Sequence, residues 1–176
     1  NDAGGKLRLP EEEEERKMYH LTQSCLSRAG YERYEISNYA RPGFECRHNM
    51  GYWQGRDYLG LGLGASGFID GCRFSNTTNM KDYLTLENGA QGWYSETEHL
   101  SRKAKMEEFM FLGLRLLRGV SEKAFYQKFD EKIMAVYGEA ICKNETYGLL
   151  LRRNGRLRLT ERGLDLANMV MADFIL

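Results

Sequence analysis

Apolar residues after Pro10 recur at helical spacing: Met18, Leu21, Cys25, Leu26 and Ala29 share one face, and Gly30 offers a left-handed stop. Proline suits the first helical position, and the run Glu11 to Glu15 lies against the positive end of the macrodipole, as a solvated face would. The stretch "YERYEISNY" alternates Tyr34 and Ile36 and predicts a short strand. Beyond the Arg41–Pro42–Gly43 break, Leu59, Leu61 and Leu63 alternate with Gly60, Gly62 and Gly64. That spacing predicts a strand with leucines on one face and glycines on the other, open to close approach of a flat group. Asp70–Gly71 between apolar residues predicts a two-residue hairpin, and Asn79 to Leu86 a short helix ended near Gly89.

From Leu100 the pattern changes. Ser101 caps a predicted helix with the stripe Met106, Phe109, Met110, Gly113, Leu114 and Leu117, ended by Gly119. Ser121 caps a second with Phe125 and Phe129. Asp130 opens a third with Ile133, Tyr137, Ala140 and Ile141, closed by Gly148. Asn154–Gly155 joins the runs Leu149 to Arg153 and Arg156 to Leu159 as a hairpin, and Thr160 caps a last helix with Ala167, Val170, Met171 and Phe174. Helices followed by a hairpin wing and a helix predict a winged-helix-like domain. The fold class expected is α+β, an α/β part over residues 1–96 and a helical, winged domain over 97–176.

Composition narrows the function. In 176 residues, 25 basic and 25 acidic side chains cancel, so the chain as a whole has no charge excess for nucleic acid. The wing is basic through Arg152, Arg153, Arg156 and Arg158. The third helix, however, mixes Lys132 and Lys143 with Glu131, Glu139 and Glu145, which falls short of a phosphate-tracking surface. No apolar run approaches the roughly 20 residues of a membrane helix. Cys25, Cys46, Cys72 and Cys142 lie far apart, and reduced thiols in the cytoplasm are the expected state.

The candidate chemistry lies in "ECRHNMGYW". A neutral imidazole at His48 can bind iron, Tyr52 and Trp53 offer flat area to cover a macrocycle, and Asn49 can orient the imidazole or hold the loop. Arg41, Arg47 and Arg56 can pair with carboxylates such as haem propionates. The same residues also suit a packing histidine beside core aromatics, which on the residues alone is the more ordinary of the two readings. Cys46 and His48 lack the second ligand pair of a tetrahedral zinc site. The glycines lie inside the predicted strand rather than between a strand and a helix, unlike a dinucleotide-binding turn.

The strings "YEISNYARPGFECRHNMGYW", "DYLGLGLGASGF", "RFSN", "KMEEFMFLGLRL" and "RLTERGLDLANMVM" resemble the C-terminal half of the HemW-type haem chaperones. These are relatives of the oxygen-independent coproporphyrinogen III oxidases in the radical S-adenosylmethionine superfamily. The resemblance implies the C-terminal part of a partial TIM barrel followed by that family's winged-helix-like C-terminal domain. It puts the haem-binding string HNxxYW on His48, Asn49, Tyr52 and Trp53, with His48 as iron ligand or essential neighbour. It also puts Ala65 and Ser66 at the lining of an S-adenosylmethionine cavity, although the family often has histidine where Ser66 stands. The function implied is haem binding and delivery to cytochrome-type acceptors, with peripheral membrane contact only through them. The alternative is oxidative decarboxylation of coproporphyrinogen, and nucleic-acid binding is a minor third. The CxxxCxxC loop for a [4Fe–4S] cluster is absent, so cluster and S-adenosylmethionine are expected only in an intact protein. A barrel begun late is expected to self-associate or swap its first segments.

Overall fold

The computed structural model describes residues 10–85 and 94–176. The chain divides into two compact units, residues 1–45 and 46–176. The step from residue 96 to 97, where the sequence suggests a boundary, falls inside the second.

In the first unit, helix α1 (Glu12–Arg28) begins after Glu11, whose backbone N–H donates to Glu14 Oε2 at 3.3 Å. Glu13 pairs with Lys17 one turn later at 2.8 Å, the favourable order for an i,i+4 pair. Gly30, at φ +80°, closes the helix as expected. The predicted apolar face keeps its spacing but not its burial: Met18 and Leu21 are exposed, and only Leu26 of the stripe is half-buried. The side that packs carries Tyr19, whose hydroxyl donates to Ile36 O at 2.8 Å and accepts from Arg33 Nη1 at 2.6 Å. "YERYEISNY" is not one strand but a tight hairpin, β1 (Glu32–Arg33) against β2 (Tyr39–Ala40). The buried Glu35 carboxylate accepts from Ser37 N and Asn38 Nδ2, both at 2.7 Å, and folds the chain back where alternation alone suggests continuation.

The second unit opens with α2 (Arg47–Trp53), a helix where a loop was expected. A loop over residues 54–65 leads to β3 (Ser66–Ile69) and β4 (Cys72–Asn76), turned as predicted through Asp70 (φ +52°) and Gly71 (φ +76°). The expected glycine strand is part of that loop, and Leu59 and Leu61 are exposed. Gly62 (φ +102°) and Gly64 (φ +67°) are left-handed, and a Cβ on Gly60 would collide with the Ser66 carbonyl. Asn76 Nδ2 closes the loop by donating to Gly62 O at 2.7 Å and Gly60 O at 3.2 Å.

Asn79 caps α3 (Met80–Thr85) through Oδ1; the predicted end near Gly89 lies outside the described residues. β5 (Tyr94–His99), which the pattern did not suggest, pairs antiparallel with β4 and gives the order β3-β4-β5.

Beyond it, α4 (Arg102–Arg115) is capped by Ser101 Oγ, which accepts from Ala104 N at 3.1 Å, and buries Met106, Met110 and Leu114. A short strand β6 (Val120–Ser121), also unforeseen, precedes α5 (Glu122–Phe129), capped by Ser121. Asp130 does not open the next helix. Its φ of +52° makes it the left-handed end of α5, and α6 (Ile133–Thr146) starts after Lys132. β7 (Leu150–Arg153) and β8 (Arg156–Leu159) turn at Asn154–Gly155 and join β6 in the order β6-β8-β7. The last helix is broken at Leu166 into α7 (Glu161–Asp165), capped by Thr160, and α8 (Ala167–Ala172). α7 lies on β8 while α8 packs on α4, which one straight helix cannot do.

The core sits in this C-terminal part. Phe125 meets Phe109 and Tyr137 edge to face and Phe129 at a tilt, and Tyr137 meets Phe174 at 5.4 Å. Between Cys46 and Leu100 the buried apolar side chains among the described residues are Phe74 and Leu100 alone. With roughly 1.5–3 kcal/mol from each fully buried large side chain, the winged part is the stable one.

Candidate functional site

α2 carries the four candidate residues, and the helical turn separates them. His48 and Tyr52, four apart, meet edge to face at 4.5 Å between ring centroids; Tyr52 meets Tyr58 in the same way at 4.5 Å. Tyr58 continues to Phe68 at 6.4 Å, fixed there by paired backbone hydrogen bonds of 2.8 Å between the two residues. The His48 imidazole is exposed at the outer end of this ladder, and Asn49 is half-buried beside it in sequence. Burial, then the adjacent Tyr52, pushes the Tyr58 phenol above its ordinary value. It therefore stays neutral at physiological pH.

Trp53 points elsewhere. One residue past Tyr52, it is turned by about 100° around the helix. Its indole lies under the Arg115 guanidinium of α4, 4.3 Å from Cζ to the ring centroid. Trp53 Nε1 is buried without a hydrogen-bond partner. Trp53 is thus the peg that holds α2 to α4, not a neighbour of the imidazole. Neither Tyr58 nor Arg115 was singled out in the sequence: Tyr58, five residues past α2, reads there as part of a glycine strand, and Arg115 lies 62 positions beyond Trp53 on another helix.

Of the three arginines suggested as carboxylate partners, Arg41 stays in the first unit, its guanidinium 5.5 Å from the Tyr31 ring centroid. Arg47 and Arg56 are exposed on and after α2. Ala65 is half-buried and holds the loop through its carbonyl, which accepts from Asn76 N at 2.8 Å. Ser66 Oγ lies 3.2 Å from Ser75 Oγ across the β3–β4 pair. The four cysteines are free, and among the described residues no three metal-capable side chains gather. A [4Fe–4S] cluster needs three thiolates in one place, so these cysteines do not fit one, and no chemical step in this chain runs through it. A single exposed imidazole beside aromatic rings does fit an iron-centred planar cargo. Among the described residues no helix is long and apolar enough to cross a membrane.

Residues 100–166 match the family model of the HemN C-terminal domain. The heme chaperone HemW of Lactococcus lactis subsp. lactis (strain IL1403) is 38% identical over 98% of this chain and 45% of its own length. The heme chaperone HemW of Bacillus subtilis (strain 168) is 35% identical over 97% of this chain and 45% of its own. The solved coproporphyrinogen III oxidase HemN of Escherichia coli, a radical SAM enzyme, superposes with a TM-score of 0.75. It covers 97% of this chain and 43% of the enzyme at 18% identity, a likeness of fold. The chain is an α+β protein with the fold of the C-terminal part of that enzyme, and it carries a winged-helix-like C-terminal domain. It belongs to the HemW and HemN family, and it spans just under half the length of the curated relatives it matches.

Proposed function

We propose that this chain provides the haem-holding part of a haem chaperone, with His48 as the ligand to the iron of its cargo. The observation that carries the reading is the exposed imidazole standing edge-on to Tyr52 at 4.5 Å, at the head of an aromatic ladder. An imidazole so placed offers a lone pair to iron while the rings beside it cover a porphyrin face. Asn49 orients the loop side of α2. Trp53 acts on the site through position, because it anchors the helix that presents His48. The names of the relatives above support a chaperone before an oxidase. Decarboxylation of coproporphyrinogen would need a cluster whose thiolates these cysteines do not assemble, so S-adenosylmethionine, the cluster and any role of Ala65 and Ser66 belong to an intact protein. The acceptors are proteins of cytochrome type, met in the cytoplasm or at its membrane face, where free thiols are at home.

The test is haem titration followed by absorption spectroscopy on the full-length protein. His48→Ala should remove or shift the bound haem band with the circular-dichroism spectrum unchanged. Unchanged affinity and band would make His48 a surface residue without this role.

A further inference from the structure

A cavity of about 430 Å³ opens beside Trp53, between α2, α4, α5 and the β6–β8 edge, and His48 is not among the residues that line it. Its size is in the range of small-molecule sites. The apolar lining comes from Trp53, Phe68, Phe109 and Leu112; Phe68 is also the last ring of the ladder that starts at His48. Its polar lining is one-sided: Lys105, Arg118, Lys128 and Arg156 against a single carboxylate, Glu108. Glu108 is already held by Arg73 at 2.5 Å, a residue outside the cavity. Among the described residues Lys105, Arg118 and Lys128 make no ion pair. Arg156 spends Nε and Nη2 on the carbonyls of Arg118 and Gly119, at 2.7 and 2.8 Å, which fixes its guanidinium at the rim. Burial, then Arg156 and Arg56 nearby, holds the Arg118 guanidinium below its usual value, so the gathered positive charge is uncompensated.

Cations with no protein counter-charge around an aromatic floor create a field for an anion that also has a flat apolar body. We propose that this cavity is an acid-accepting subsite, taking the carboxylate-bearing edge of a planar apolar ligand, with Arg118 and Arg156 at the carboxylates and Phe68 and Phe109 against its body. The choice of a porphyrin as that ligand rests on the haem reading; the cavity's demand for carboxylates does not. Among the described residues the Arg118 side chain takes part in no hydrogen bond or ion pair, so its replacement leaves the fold alone.

The probes are metal-free protoporphyrin IX and its dimethyl ester, which need no iron ligand, titrated by fluorescence into the full-length protein. The free acid should bind about tenfold or more tighter than the ester, the worth of one charge-assisted hydrogen bond. Arg118→Ala should cut the acid's advantage severalfold without moving the ester, because Arg156 remains, Arg118→Lys should recover part of the difference, and His48→Ala should change neither. Equal binding of acid and ester, no binding of either, an Arg118→Ala protein whose preference for the acid is undiminished, or displacement of the acid by adenosine monophosphate as readily as by a second porphyrin acid would each overturn the subsite. Retained acid preference in a protein whose haem band ignores His48→Ala would sink the iron-ligand reading and leave the subsite standing.

Discussion

Replacing Trp53 separates its two physical roles. The indole is half-buried, and half of the roughly 200 Å² a tryptophan can bury is worth about 2.5 kcal/mol at ~25 cal/mol per Å². The Arg115 guanidinium at 4.3 Å adds ~0.5–1 kcal/mol of cation–π attraction. Against this stands the buried Nε1–H without an acceptor, which costs at least about 1 kcal/mol. Trp53→Ala loses the first two and is relieved of the third, for a net loss of about 2 kcal/mol. Trp53→Phe keeps a ring under Arg115 and removes the orphan donor, so it should fall within about 1 kcal/mol of the parent. With a urea slope of ~2 kcal/mol per molar, Trp53→Ala should shift the midpoint down by about 1 M in circular dichroism, and Trp53→Phe by less than half of that. Amide exchange should quicken over residues 47–53 in the alanine variant, because α2 has no buried residue of its own. The alanine variant should bind haem more weakly with an unaltered type of spectrum, since the iron ligand is untouched. A phenylalanine variant as unstable as the alanine one would refute the reasoning.

Gly51 sits inside α2, where an added Cβ would meet the Arg56 Cδ at 4.0 Å, an ordinary van der Waals contact, so Gly51→Ala should raise the stability of the helix by ~0.5–1 kcal/mol, read in the same urea titration. Gly60→Ala should cost ~1–3 kcal/mol, because the new methyl meets the Ser66 carbonyl; a neutral result would refute that close approach. The Tyr137 hydroxyl is buried with no partner, and burial keeps the phenol protonated at all ordinary pH. Tyr137→Phe should therefore leave the melting temperature unchanged or higher, and a clear fall would reveal a missed partner. The hydrogen bond from Lys143, then that from Asn144, holds the Asp173 carboxyl below its unfolded value of 3.8. A lowered folded value stabilises above that pH and the gain is lost as pH falls through it. Lys143→Met should consequently melt lower than the parent at neutral pH and converge with it as the pH falls through the lowered folded value of Asp173.

Some of this protein could be read without any tertiary information, because the chemistry involved is local. Ser101, Ser121 and Thr160 cap helices through their own hydroxyls. Asp70–Gly71 and Asn154–Gly155 turn hairpins because their neighbours in sequence need positive φ there. The same holds for the buried stripes of α4, α5 and α6, and for the HNMGYW string that singled out His48. What failed to show in sequence depended on partners far along the chain. Leucine–glycine alternation suits a strand and a loop alike, and only the Asn76 amide, reaching back to Gly60 and Gly62, decides for the loop. β5 is polar and exposed along its length and β6 is only two residues long, so neither announces itself, and they exist by pairing with β4 and β8. The site divides on the same line. His48 and Tyr52 are neighbours by helical spacing once α2 forms, whereas Tyr58, the Arg115 stack over Trp53 and the cationic cavity are assembled by folding. Residue type therefore told which side chains can bind iron or a planar ring, and three-dimensional packing alone decided that His48 and Trp53 face different surroundings.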